Sequence, residues 1–226
     1  MILSIQTCFE TLSVSLFTTN KSHLSTSFVP HKHSQASLID EVANHCLKSN
    51  NVNLGDVSAI VVANGPGSFT GIRIGLAFSE GLTCFNNNAT KNFVSNTNAC
   101  LVQIATDAKP IAIILPSIRG ESYIQFFNQQ KEPLTQIASL TNTDIAFYME
   151  EQLEKLNITS FNALQIASVQ NLQTISPKLS HLNFAKINLP NSHHLGLAYF
   201  AGLADGKMLI NSINYVREAV KLKTTS

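Results

Sequence analysis

Charge is scarce in this sequence: Asp, Glu, Lys and Arg make up 13% of its 226 residues, about half the usual quarter. The formal net charge is +1. A surface that binds a polyanion by itself carries a basic stripe, and none is visible here, which disfavours independent nucleic-acid binding. Tryptophan is absent and cysteine is sparse. Cys8, Cys46, Cys84 and Cys100 match no CxxC or zinc spacing, so they read as buried free thiols rather than a disulfide or metal framework. No apolar run approaches the ~20 residues of a membrane span. No basic segment precedes the first apolar run, as it would in a signal peptide. The expectation is a cytoplasmic chain with no membrane partner. Apolar residues are plentiful at 44%, enough for one large domain or two lobes, each with a core. So little charge leaves a large uncharged surface, and a protein partner is the natural use for one.

Along the chain, residues 2–8 form an apolar run. In 11–17, Leu12, Val14 and Leu16 alternate with Ser13 and Ser15, which predicts a half-buried strand. Residues 23–29 form a weaker third strand and complete a meander. A helix follows over 34–48, with Leu38, Val42 and Cys46 spaced by four beside Ile39, Ala43 and Leu47. Ser37 with Asp40 resembles a capping box. Residues 57–64 are a β-branched strand, 64–69 a glycine-rich turn and 70–85 a second helix, closed by the polar FNNNATKN. The second half begins near residue 96. It reads as a helix over 97–108, strands over 110–118 and 121–127, a helix over 143–156, a strand over 163–169, and a last helix from His193 ended by Gly206. No repeat of fixed period shows. A meander followed by strand–helix alternation points to α/β layers in two lobes, with residues 1–95 in the first and 96–226 in the second.

The glycine-rich turn Gly65, Pro66, Gly67, Ser68, Phe69 and Thr70 raises the main question. A strand, a glycine turn and a helix N-terminus can hold an anion. A P-loop needs GxxxxGK[ST], and no lysine follows. For GxGxxG the third glycine, Gly71, comes one place late, and GxSxG fails at Ser68. The helix beyond is apolar nearly all round. Gly71, Gly75 and Ser79 form a smooth strip, Ile74, Phe78 and Leu82 a ridge beside it, and Ile72 and Leu76 extend the apolar surface. Small residues at spacing four let another helix approach closely. The strip therefore faces either its own core or a partner.

The segment GPGSFTGIRIG resembles the signature of the TsaB family, accessory proteins of bacterial threonylcarbamoyladenosine synthesis. ILSIQTCFETLSVSLF resembles the family's opening hairpin, HSQASLIDEV its first helix start, RGESYIQFF its Arg-x-Glu-x-Tyr strand and NYVREAVKLK its closing segment, in the right order along most of the chain. The resemblance implies a two-lobed actin-like (ASKHA) ATPase fold, each lobe a mixed sheet with flanking helices, the last helix packing back on the N-terminal lobe. It implies a non-catalytic scaffold that binds the catalytic subunit TsaD, joins the ATPase TsaE, and meets tRNA through the complex. It places the partner surface on about residues 34–48 and 70–84, with Leu38, Val42, Cys46, Gly71, Ile72, Gly75, Leu76 and Ser79 as contacts. Self-association as a homodimer is the expectation when TsaD is absent. No cofactor is required by this chain itself, and ATP with Mg²⁺ belongs to the assembled complex. The sequence also departs from the family. Gln6-Thr7 stands where Asp-Thr is common, and Gln6 is a poor Mg²⁺ ligand. Pro116, Ile118 and Ile213 replace other characteristic residues. The alternative on the same fold is a nucleotide-binding ATPase or phosphotransferase. A peptidase, an old label for such relatives, has no nucleophile–base pair to support it.

Other candidates read as structural or solvated. His31 and His33 have no further histidine at helical spacing. His193 and His194 open a helix without a carboxylate nearby, and His181 stands alone. Glu150, Glu151 and Glu154 share a helix with Lys155, which points to a solvated face rather than acid–base chemistry. Arg217, Lys221 and Lys223 form a small basic end. Arg119 and Glu121 could pair across a strand turn.

Overall fold

The computed structural model describes residues 1–29, 35–105, 108–117 and 120–204. Two five-stranded sheets organise them. The first holds β1 (Ile2–Gln6), β2 (Leu12–Phe17), β3 (His23–Val29), β4 (Ala59–Ala63) and β5 (Thr90–Val94) in the order β3-β2-β1-β4-β5. The second holds β6 (Ile111–Pro116), β7 (Glu121–Phe127), β8 (Ala138–Thr141), β9 (Gln165–Ser168) and β10 (Ala185–Lys186) in the order β10-β9-β6-β7-β8. Counted from the first strand of each sheet, the two orders are the same. Each is an antiparallel meander of three strands with two parallel strands added beside the first. The repeat lies in topology, which is why no sequence period reveals it.

Helix α1 (Gln35–Lys48) covers β2 and β3, and α2 (Phe69–Phe85) covers β4 and β5 on the same face. Leu3, Ile5, Leu12, Val14, Leu16 and Ile60 point into this layer and meet Ile39, Val42, Ala43, Cys46 and Leu47 of α1. The opposite face is covered by α6 (Ser192–Phe200), with the short α3 (Asn96–Leu101) beside it. In the second lobe α4 (Ile145–Lys155) and the one-turn α5 (Leu172–Ile175) pack on Ile114, Ile124, Phe126 and Ile166.

Several expectations change. Ser13 and Ser15 are buried, so β2 is covered on both sides. The reason is Ser192 at the head of α6. Its N–H donates to Ser13 Oγ at 2.9 Å, its Oγ lies 2.7 Å from Ser15 Oγ, and its carbonyl accepts from Ser4 Oγ at 2.7 Å. Small hydroxyls bonded to one another are the polar groups a core tolerates. Helix α1 starts at Gln35, so Ser37 sits inside it and is not its cap. The helix expected over 97–108 stops at Leu101. The helix expected from His193 to Gly206 ends at Phe200, because Gly202 takes φ +76° and the Gly202 and Leu203 amides donate to Tyr199 and Ala198 carbonyls, a Schellman stop. Strand β5 was hidden in a stretch that reads as polar linker, and β8 and β10 are short edge strands with little pattern of their own. His31, His33, Ile118, Arg119, Gly206, Ile213, Arg217, Lys221 and Lys223 lie outside the described residues.

Candidate functional site

The glycine-rich turn joins β4 to α2 beside the end of β1. The space there is taken up by the protein itself. Gln6 Oε1 accepts the Cys8 N–H at 2.8 Å, and Gln6 Nε2 donates to Asn96 Oδ1 at 2.6 Å. Asn96 Nδ2 donates to the Pro66 carbonyl at 2.7 Å, and its backbone N–H donates to the Gly65 carbonyl at 2.6 Å. One amide chain therefore ties β1, the turn and α3 together. Gln6 is 1% exposed and Asn96 0%, a depth at which every unmade bond costs about 1–3 kcal/mol.

The glycines make this approach sterically feasible. Gly65 takes φ +103°, open to glycine and costly for other residues. A Cβ at Gly67 would stand 2.7 Å from the Cys8 carbonyl oxygen. The Ser68 N–H donates to that same oxygen at 2.8 Å, and Ser68 Oγ caps α2 by accepting the Gly71 N–H at 3.2 Å. Two of the amides that a phosphate would use are thus bonded within the protein. The turn brings two pieces of backbone into contact.

Cys8 lies in the same place, and burial pushes its thiol up to about 12 despite hydrogen bonds that pull the other way. It stays protonated and is no nucleophile at neutral pH. Among the described residues no group of three or more His, Cys, Asp or Glu gathers to hold a metal.

The eight expected contact residues fall mainly inside the lobe. Val42, Cys46, Gly71, Ile72, Gly75 and Ser79 are buried, and Leu38 and Leu76 are half-buried. The smooth strip turns inward because the end of β1 needs it. A Cβ on Gly71 would be 2.0 Å from the Thr7 carbonyl oxygen, and one on Gly75 2.5 Å from Thr7 Oγ1. Thr7 Oγ1 in turn donates to the Gly71 carbonyl at 2.7 Å. The outward surface of α2 is another row at spacing four: Arg73, Ala77, Gly81 and Phe85, with Cys84 beside it. Phe85 is 88% exposed. A Cβ on Gly81 would meet nothing within 4 Å. Arg73 stacks its guanidinium 3.8 Å above the Phe69 ring, and Glu80 pairs with Lys91. From α1 the exposed Asp40, Glu41, Asn44 and His45 point outward. The spacing of the outer row was readable in the sequence. The denser glycine row concealed it.

Elsewhere, Glu151 pairs with Lys155 at 2.6 Å on the outside of α4, while Glu150 and Glu154 are exposed. His181 is exposed. His193 and His194 both sit half-buried where α6 meets the first sheet.

The sequence model of the family described as "TsaD: tRNA N6-adenosine threonylcarbamoyltransferase" matches residues 25–156. Over 81 residues the chain is 35% identical to the Escherichia coli K12 "tRNA threonylcarbamoyladenosine biosynthesis protein TsaB", covering 36% of this chain and 34% of that protein. The chain thus spans about a third of the length of the curated relatives it matches. A Pseudomonas aeruginosa crystal structure, described as similar to peptidase YEAZ, superposes with a TM-score of 0.68 at 18% identity over 90% of this chain and 94% of that one. A Bacteroides thetaiotaomicron protein described as having an actin-like ATPase fold superposes with a TM-score of 0.50 at 11% identity, over 88% and 95%. With the repeated strand order, these likenesses establish the two-lobed actin-like α/β fold.

Proposed function

The chain belongs to the tRNA N6-adenosine threonylcarbamoyltransferase family, and on that premise we propose that it is a non-catalytic member, a scaffold subunit that binds catalytic TsaD and supports threonylcarbamoyladenosine formation on tRNA. The amide chain through Gln6, Asn96 and Pro66 carries this reading. Gln6 supplies no charge for a Mg²⁺ ion, and both of its amide atoms are already bonded. A chain whose turn is closed on itself serves as a rigid platform rather than a nucleotide clamp.

The outer row of α2, with the exposed side of α1, is the surface offered to TsaD. It joins an exposed aromatic, small residues that permit close helix approach, and an arginine at its edge, a combination common in interface cores. The ATPase TsaE joins the assembly, ATP with Mg²⁺ is handled there, and tRNA is met through the complex in the cytoplasm. Without TsaD the same surface closes on a second copy.

Light scattering on the purified chain, alone and mixed with TsaD from the same genome, tests this. A one-to-one complex formed at the expense of a homodimer is expected. The second reading, an ATPase or phosphotransferase, is favoured by the glycine turn at the head of a capped helix. A chain that stays monomeric, ignores TsaD and turns over ATP with Mg²⁺ would establish it and overturn the scaffold.

A further inference from the structure

The two sheets leave four edge strands, which differ in how they discourage pairing with another chain. Natural edges are blunted by shortness, charge or proline. Strand β10 has two residues and β8 four, and β5 carries Lys91, paired with Glu80. Strand β3 has none of these protections: it runs for seven residues, His23–Val29, without Lys, Arg, Asp, Glu or Pro. Its one irregularity lies opposite Leu16 and Phe17, at its start, which leaves Ser25–Val29 in unbroken register with Leu12–Leu16. Among the described residues no strand pairs with its outer edge. We propose that this edge accepts an extended segment of another protein as a sixth strand, one that carries a lysine or arginine on its α1-facing side and β-branched residues on the other.

The chemistry of the occupant follows from what flanks the edge. On one side an open groove of about 330 Å³ lies between β3 and α1, with Ser27, Val29, Glu41, Val42 and His45 in its lining. A strand laid along β3 turns every second side chain toward this groove, and pockets for alternate side chains give strand addition its specificity. Val29 and Val42 offer apolar walls. Glu41 is an exposed carboxylate with no ion-pair partner among the described residues. A lysine or arginine suits both, its stem along the valines and its cation at the carboxylate. On the other side Phe28 is 66% exposed. It pairs with Ser13, whose hydroxyl meets α6, so its ring lies on the α6 face of the sheet. There a β-branched residue of the added strand completes an aromatic cross-strand pair. A second copy of this chain is the poorer fit, since its own β3 brings no cation to Glu41. The edge lies apart from α2, which covers β4 and β5 at the far side of the sheet, so the outer row of α2 stays free for TsaD.

The probe is the peptide acetyl-Thr-Ser-Val-Lys-Val-Ser-Thr-amide, titrated into the full isotope-labelled chain while backbone amide resonances are followed. As a strand it turns its lysine to one side and its valines to the other. The amides of Ser25–Val29 should shift in a saturable way. The same peptide with glutamate in place of lysine should bind about fivefold more weakly, the upper range for an exposed ion pair. Glu41→Lys should reverse that order, and Phe28→Ser should weaken both peptides alike. Glu41 and Phe28 are exposed, so neither variant removes a core contact. Shifts absent from Ser25–Val29, or a preference for lysine that survives Glu41→Lys, would overturn the proposal. So would exchange protection at Ser25–Val29 that rises with the concentration of the free chain, since a second copy would then hold the edge.

Discussion

Along α2 two rows of residues run at a spacing of four, Gly71, Gly75 and Ser79 on one side and Arg73, Ala77, Gly81 and Phe85 on the other. Both include glycine, and both look in sequence like places where something packs closely. In the inner row the glycines are there because the Thr7 carbonyl and hydroxyl occupy the volume that a Cβ would need. In the outer row Gly81 meets nothing, and the exposed Phe85 closes the row. Spacing alone reports that a helix face is smooth. What lies against that face decides whether smoothness serves the fold or a partner.

The largest effects are expected on the inner row. Gly71→Ala puts a Cβ 2.0 Å from a backbone carbonyl oxygen that cannot rotate away. Overpacking of this kind costs about 3 kcal/mol or more, visible as a lower midpoint in denaturant melts. Gly75→Leu should behave likewise and lose partner binding through the loss of fold. If either variant melts like the parent, the strip does not face Thr7. Next comes the amide chain. Gln6→Ala leaves the Cys8 N–H and Asn96 Oδ1 without partners, a loss of about 2 kcal/mol, with no gain of ATP turnover. A stability change near zero would mean that water replaces the side chain and that the site is open.

The seam under α6 adds a pH dependence. Burial and the adjacent His193 hold His194 down at about 4, and burial, with His23, lowers His193. The neutral rings fit the fold, whereas the unfolded chain takes up protons near the ordinary histidine value of about 6.5. Stability is therefore full above that value and declines as pH falls toward 4, since there the unfolded state binds more protons. Melting temperatures across this window should fall more steeply for the parent than for His194→Gln. Equal slopes would show that the ring is solvated.

The strands built on β-branched or alternating residues and the longer helices were legible, because burial imposes their periods directly. Edge strands β5, β8 and β10 were not: each is paired on one side, and β5 takes its place from β4 rather than from apolar residues of its own. Ser13 and Ser15 read as solvent-facing because an isolated strand cannot announce that a helix 179 residues further on brings its own hydroxyl to meet them. For the site, Gln6 could be seen as a poor metal ligand, but its partner Asn96 could not, since the bond spans 90 residues. The inward turn of the Gly71 strip was hidden for the same reason: Thr7 decides it, 64 residues earlier.

The smallest effects on stability belong to the outer row, and they separate the two faces most cleanly. Ala77→Glu and Phe85→Ser change exposed positions and should leave stability within about 0.5 kcal/mol. Both should abolish the complex with TsaD in the same light-scattering measurement, since a charge or a lost aromatic at an interface core is felt far more than on open surface. Gly81→Ala removes a helix-interior glycine with open space around it, which should raise stability by about 0.5–1 kcal/mol. Its effect on binding then reads the depth of the contact. If the partner helix approaches closely at this point, the added methyl weakens the complex while the isolated chain melts higher. Should the complex form unchanged, the contact centres toward Phe85, and Gly81 only borders it.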